Sequence, residues 1–449
     1  MIELADTKSY REQQSVLHET YAAIGKKTGL ILTTGQLLME NGADTSQIVR
    51  DMTRAAAYMG IDEKQFKLHI MYTTLMLNIS DENHSYTNFR KCRKHAVDMR
   101  IISAVSRLTW RALRDHYTLE EYEDNLKTIA SRPKAFSEPF VIVATGCACA
   151  CFCGLFGCDL PAFFYTAICA MLGKVVQVYC HKSGVNAYMS IAIAAFVSTA
   201  LAYFAHFLPS TTPWHPIIAA TIYLVPGIPL INSISDMING YLISGAARFM
   251  HTSLLLGGIA FGIVLAIEAV SVEEFTQLQM IPGNDFIRFI ICAGFGAAGF
   301  SVLFNVPPRL LFAAGVGGVI AVCARNFCTF SLGLTSVAGT FIGATLVSIV
   351  ALYAVHWLHA PTQVLTVPSV IPLVPGVLIY RLLFSIINIR TISGEQLISA
   401  IQAGVDAALS ILCIAIGVAM PNIFANRRFE RRKKEEQERL LKEVYETDE

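Results

Sequence analysis

Long apolar runs, separated by short polar or proline-containing breaks, fill the middle of the chain. A helix needs ~20 mostly apolar residues to cross a bilayer. Ten runs qualify, at about residues 139–157, 161–180, 187–208, 216–243, 251–270, 286–304, 309–325, 331–356, 366–389 and 397–419. They are continuous, whereas barrel strands alternate over ~10 residues, so the pattern predicts helices. Ahead of them the period changes. Phe66, Leu68, Ile70 and Tyr72 alternate with Lys67, His69 and Met71, which predicts a strand with one apolar face. Leu75, Leu77 and Ile79 supply its hairpin partner. Asp44 with Gln47 reads as a capping box opening a helix that Gly60 ends. Met99, Ile102, Val105 and Leu108 recur at helical spacing, and Thr118 with Glu121 caps a further helix before Pro133.

Composition agrees with this division. Of 449 residues, 54% are hydrophobic and 15% charged, against roughly 25% charged in soluble domains. Residues 1–138 hold 19 basic and 18 acidic residues, residues 427–449 hold 8 and 8, and the long middle holds only 8 and 8. The expected organisation is a cytosolic α+β domain (1–138), two membrane units (139–280 and 281–426) and a charged cytosolic tail (427–449). Net charge is +1, so no global field points to nucleic acid. Met1 to Asp6 carry neither a basic n-region nor an apolar h-region, so a targeting signal is not expected. Most of the twelve cysteines fall in the apolar middle, where they read as reduced, small apolar residues.

Lys and Arg near span ends set orientation. Arg132 and Lys134 precede the first span, and six basic residues from Arg427 to Lys434 follow the last. Both ends are expected in the cytosol, which requires an even number of spans. Lys182, Arg248 and Arg309 fall in loops expected inside, with Lys174 and His181 marking the same face. The loops at 209–215 and 271–285 lack basic residues and are expected outside. Arg325 and Arg390 break the rule. The tail itself reads as a mixed-charge helix held at anionic lipid.

Two stretches of the middle match. Ile222 to Pro229 (Ile-Tyr-Leu-Val-Pro-Gly-Ile-Pro) parallels Ile371 to Leu378 (Ile-Pro-Leu-Val-Pro-Gly-Val-Leu), and Leu160-Pro161 parallels Val306-Pro307. Pro161 to Pro226 spans 65 residues, and Pro307 to Pro375 spans 68. Each motif is followed by one further span, so the unit is five spans, used twice. Five is odd, so the second unit is inverted relative to the first. Inverted repeats with interrupted helices point to alternating-access transporters, with a site near the midplane. The fold class expected is a polytopic α-helical membrane protein of about ten transmembrane helices. They form two inverted five-span repeats with interrupted Pro-Gly helices, plus a cytosolic N-terminal α+β domain. Pro226 and Pro375 break the backbone ladder, and Gly227 and Gly376 relax it. Freed backbone groups and half-helix dipoles suit a zwitterion or small carboxylate.

These residues carry a family resemblance. Leu224-Val-Pro-Gly-Ile-Pro-Leu-Ile-Asn232, then Asp236-Met237, Gly240, Gly245 and Ala247-Arg248, resemble the first membrane half of the threonine/serine exporter family. Gly42-Ala-Asp-Thr-Ser-Gln-Ile-Val49, with Ala55, Ala56 and Gly60, is similar to the family's signature helix. Pro368, Pro372 to Gly376 and Tyr380-Arg381 resemble its smaller second half, here fused to the first. Tyr241 departs from the polar residue expected there. The resemblance implies export of threonine and serine, or of other small carboxylates, driven by an ion gradient across the inner membrane.

Ionisable residues inside spans cost at least ~2.5 kcal/mol each to insert, which makes them functional candidates. Asn232, Asp236 and Asn239 share one helix face at i, i+4, i+7. Asp236 is suited to bind an ammonium or carry a proton; the structural alternative is that all three cap helix ends at the interface. Arg381 offers a bidentate fork to a carboxylate, or is a snorkelling or pairing arginine. Glu268 and Asp406, in the closing span of each unit, are candidate coupling carboxylates. Glu40, Asp44, His69, His84 and His95 are scattered and read as solvated surface. Cys147, Cys149, Cys151 and Cys153 alternate in a way that diverges on a helix, so no metal site is expected. No cofactor and no enzymatic motif is expected. The partners expected are a small amino-acid or carboxylate substrate, the bilayer and a coupling proton, with a homo-oligomer left open. The rival readings are a dicarboxylate exporter on the same scaffold and, from another class, an intramembrane enzyme or assembly scaffold.

Overall fold

The computed structural model describes residues 23–80, 84–270, 285–358, 360–387, 389 and 392–447. The expected outer loop at 271–285 lies almost wholly outside these residues, as do Arg390 and the side chains of the basic run after Arg427. The chain divides into two compact units. One holds the described residues through Ala96, 101–132 and the chain end from Arg431; the other holds 97–100 and 133–430.

In the first unit, α1 covers residues 23–40, followed by α2 (Thr45–Tyr58), α3 (Met99–Arg114) and α4 (Leu119–Ser131). Asp44 caps α2 by accepting from the Gln47 N–H at 2.7 Å, and Gly60 ends it with φ +75°. Thr118 and Glu121 form a reciprocal capping box on α4. The expected hairpin is β1 (Phe66–Met71) against β2 (Thr74–Ser80), with Leu68 opposite Leu77. A third strand, β3 (Ser85–Lys91), extends the sheet antiparallel in the order β1-β2-β3. It was not expected, because Ser-Tyr-Thr-Asn-Phe-Arg-Lys has almost no apolar face to alternate. Ile31, Leu38, Ile48, Met52, Leu75 and Leu77 are fully buried and form the core. Asp51, also fully buried, accepts from Gln47 Nε2 at 2.6 Å and Arg54 Nη1 at 2.7 Å. Burial pulls the Arg54 guanidinium below its ordinary value, and Asp51 opposes that shift. Glu40 accepts from the Arg93 N–H at 2.9 Å, while His69, His84 and His95 are exposed.

The second unit is helical. Its helices are α5 (Glu138–Leu155), α6 (Leu160–Lys182), α7 (Ala187–Tyr203), α8 (His215–Ala219), α9 (Gly227–Ile238) and α10 (Leu242–Ala269). They are followed by α11 (Phe286–Leu303), α12 (Leu311–Phe330), α13 (Ser336–Leu358), α14 (Thr362–Val370), α15 (Gly376–Ile387) and α16 (Gly394–Thr447), of which the residues through Glu430 belong to this unit. Among the described residues, eight helices are long and apolar enough to cross a membrane, and two bent pairs bring the number to ten. His215–Leu224 bends by 60° into Gly227–Ile238, and Thr362–Leu373 by 58° into Gly376–Ile387.

Close packing inside this unit rests on small residues, as in membrane bundles generally. A Cβ on Gly262 would stand 2.2 Å from the Ala192 carbonyl oxygen, so α10 and α7 approach to backbone contact. The apolar core joins both halves: Cys151 and Leu155 of α5, Ile231 of α9, Phe289 and Ala293 of α11, and Val370 beside the second bend. Cys149, Cys151 and Cys153 are buried and Cys147 is exposed; all four are free thiols.

Three orientation readings need correction. Arg248 is not in a loop but within α10, 2% exposed. Lys174 lies inside α6 rather than at its end. Arg325 lies in α12, where its Nε donates to Asn326 Oδ1 at 3.0 Å, so it marks no loop at all.

Loop contacts fix which helix ends lie together. Glu138 and Lys182 pair at 2.5 Å, joining the start of α5 to the end of α6. At the opposite end Asp159, the N-cap of α6, accepts from the Ala162 N–H at 3.1 Å, Ser210 Oγ at 2.9 Å and the Thr211 N–H at 2.6 Å. Burial alone raises this carboxyl, but those donors prevail and hold it at about 2, below the ordinary 3.8. Its stabilising effect is therefore present above pH 3.8 and lost as pH falls through about 2. Asp159→Ala is expected to cost about 1–2 kcal/mol at neutral pH. Thermal unfolding in detergent checks this; an unchanged midpoint contradicts it.

Candidate functional site

Both bends have one construction. In the first, a 3-10 turn at Ile222–Leu224 leads into Val225 and Pro226, and α9 starts at Gly227. In the second, a 3-10 turn at Ile371–Leu373 leads into Val374 and Pro375, and α15 starts at Gly376. The backbone bonds correspond one to one. Gly227 N donates to Val225 O at 2.8 Å, and Gly376 N to Val374 O at 2.9 Å. Leu230 N donates to Pro226 O at 3.1 Å, and Ile379 N to Pro375 O at 3.2 Å.

The two bends meet. A Cβ on Gly227 would lie 2.8 Å from Ile371 Cδ1, and one on Gly376 3.6 Å from Val225 Cγ2. Between them runs a narrow apolar slot lined by four matched pairs. These are Ile222 with Ile371, Val225 with Val374, Gly227 with Gly376, and Phe152 of α5 with Phe300 of α11. Each pair joins one residue of the first half to one of the second at nearly the same sequence offset.

Of the polar groups expected at the site, Asn232, Asp236, Asn239 and Arg381 do not line this slot but stand on the broken helices that form it. Asn232 on α9 is buried and accepts at Oδ1 from Gln363 Nε2 of α14 at 3.3 Å, a bond between the two broken helices. Tyr380 Oη donates to the Thr221 carbonyl oxygen at 3.3 Å, satisfying a backbone group beside the first bend. Asp236, fully buried, has Arg248 Nε 3.3 Å from its Oδ2. That contact is electrostatic rather than an aligned hydrogen bond. Asn239 ends α9, its Nδ2 donating to the Ser235 carbonyl oxygen at 2.8 Å. Arg381 is half-buried on α15. Glu268 and Asp406 are exposed on α10 and α16, and the structure does not bring them to the slot.

Of the expected residues, Gly227 and Gly376 line the slot, Pro226 and Pro375 precede them at the bends, Asn232 bonds the other broken helix at Gln363, and Asp236 has Arg248 as a partner that sequence spacing did not assign. Gln363, Phe152, Phe300 and Tyr223 were also missed. The two phenylalanines occupy matching places in the opening helices of the two halves, a signal that aligning the halves beyond the Pro-Gly motif would have shown. Gln363 carries no such signal. Among the described residues no group of three or more His, Cys, Asp or Glu side chains could hold a metal ion.

A multi-pass helical membrane protein with two broken helices facing one another is the class that this architecture defines. The family described as "Putative threonine/serine exporter" matches residues 29–270, and "Threonine/Serine exporter, ThrE" matches residues 289–424. The chain belongs to the threonine/serine exporter family. It is 22% identical to the "Threonine/serine exporter" of Corynebacterium glutamicum, over 88% of this chain and 81% of that one. It is 20% identical to the "Probable threonine/serine exporter" of Mycobacterium tuberculosis, over 89% and 77%. It is also 28% identical to the "Probable succinate transporter subunit YjjP" of Klebsiella aerogenes, over 53% of this chain and 92% of that one. No solved structure matches the chain.

Removing one partner of a buried ion pair leaves an uncompensated charge, which costs about 3–5 kcal/mol. Asp236→Ala is expected to lose folded protein on that scale, with Asp236→Leu/Arg248→Met recovering most of it. Transport measured in the recovered double variant separates the roles: activity near wild type makes the pair structural, and folded but inactive protein makes it functional.

Proposed function

We propose that this protein is a secondary transporter that exports small hydroxy amino acids, threonine and serine, across the inner (plasma) membrane, driven by the proton gradient. The observation that carries the reading is the meeting of two half-helices at matched Pro-Gly breaks. This is the arrangement in which inverted repeats hold substrate near the midplane. Its two five-span units, α5 to α10 and the helices from α11 onward, are inverted repeats of one another. Head and both termini stand in the cytosol. Membership of a family named for threonine and serine export supports the substrate.

In this reading the slot between Gly227 and Gly376 is the moving seam, and the apolar walls exclude water when it closes. Pro226, Asn232, Pro375 and Arg381 belong to the substrate path. Asp236 and Arg248 form the coupling element: a proton taken up by Asp236 removes the charge that holds Arg248. Asp236 carries this role rather than the exposed Glu268 and Asp406. A dicarboxylate such as succinate is the second reading, favoured by the relatives named as probable succinate transporter subunits.

Cells carrying the gene and loaded with threonine- and serine-containing peptides are expected to release both amino acids faster than cells without it, and to lose that advantage when an uncoupler is added. Faster release of succinate with unchanged threonine and serine would replace the first reading by the second. An advantage that survives the uncoupler would remove the proton.

A further inference from the structure

We propose that Lys174, with the hydroxyls of Tyr223 and Ser198, forms the subsite that holds the carboxylate of the transported molecule; this rests on the transporter reading above. Lys174 lies one turn beyond the buried Ala170 of α6 and two turns before the helix ends at Lys182. Its Nζ donates to Gln177 Oε1 at 2.8 Å and stands 5.8 Å from the centroid of the Tyr223 ring. Tyr223 belongs to the 3-10 turn immediately ahead of Val225 and Pro226, so this cation sits beside the first break. Among the described residues no carboxylate pairs with it.

Two buried hydroxyls stand against the same helix, one of them on the ring that Nζ faces. Tyr223 Oη and Ser198 Oγ are 3.5 Å apart and nearly closed to solvent. Gly173 is what admits them. A Cβ at that position would lie 1.8 Å from Ser198 Oγ and 2.8 Å from Tyr223 Oη, so both hydroxyls touch the α6 backbone one residue from Lys174. An ammonium and two orientable O–H donors, walled by apolar helices, form an anion site of single charge. A lysine inside a span is costly unless something compensates it. A glutamine amide and an aromatic face compensate it only in part. The other two buried or half-buried cations near the bends are engaged: Arg248 faces Asp236, and Arg381 has interactions of its own.

The test measures binding to the purified full-length protein by thermal stabilisation. The probes are L-serine, L-threonine and succinate, against the amino alcohols serinol and threoninol, which lack the carboxylate. Wild type is expected to bind an acid at least about tenfold more tightly than the alcohols, the scale of one charge-assisted hydrogen bond. Lys174→Met is expected to erase that preference, and Gly173→Ala to weaken it by displacing the hydroxyls. Should Lys174→Met fail to fold, Lys174→Arg and Gly173→Ala carry the comparison through the same acid-to-alcohol ratio. A folded Lys174→Met that keeps the preference overturns the proposal and leaves a snorkelling lysine; if Arg381→Met loses it instead, the subsite lies on α15. Wild type binding succinate alone, with the preference lost in Lys174→Met, upholds the subsite and overturns the hydroxy-amino-acid reading. Wild type binding none of the acids overturns both.

Discussion

A backbone amide or carbonyl released inside a bilayer finds no water to bond, and the two bends exist only because that requirement is met locally. Pro226 and Pro375 each interrupt a helix, since proline donates no hydrogen bond and crowds the preceding turn. The 3-10 turns and the i→i+2 bonds at Gly227 and Gly376 satisfy part of what is released. Side-chain bonds add to these: Tyr380 donates to the Thr221 carbonyl, which also accepts from the Leu224 N–H at 3.0 Å, and Ser369 Oγ ties α14 to the Ala314 carbonyl of α12 at 3.1 Å. The second broken helix thus adds a bond to the first that lipid could not supply.

The backbone repeats, but the chemistry hung on it does not. Asn232 and Arg381 each stand six residues beyond their proline, and Asp236 and Ser385 each stand ten beyond. Tyr223 and Pro372 each stand three before it. One half thus supplies an acid, an amide and a phenol where the other supplies a guanidinium, a hydroxyl and a rigid ring. Matched bends therefore carry unlike polar groups, and in the first half the acid is compensated by Arg248.

Hydropathy made the spans legible, because insertion in lipid demands long apolar runs whatever the tertiary contacts. The bends were legible too, since only Pro-Gly pairs recur at matching places. Strand β3 was hidden because its faces are nearly equally polar, so its place depends on pairing with β2 rather than on its own pattern. Arg248 was misplaced for a related reason. A basic residue reads as a loop marker until its acid is known, and Asp236 lies on a different helix, which spacing does not relate to α10. Lys174 was taken for an edge residue because Lys182 and His181 follow it closely; the rotation of α6 that turns it toward Tyr223 is a matter of packing around Gly173.

The claim on which the rest stands is that the slot between the two bends opens and closes during transport. Val225→Cys and Gly376→Cys, placed together in a background without other reactive thiols, would set two sulfurs across that slot, where Val225 Cγ2 and a Cβ at 376 lie 3.6 Å apart. Cross-linking this pair is expected to stop transport, and reduction to restore it, while each single variant stays active under oxidant. Complete cross-linking with transport unchanged would contradict the account.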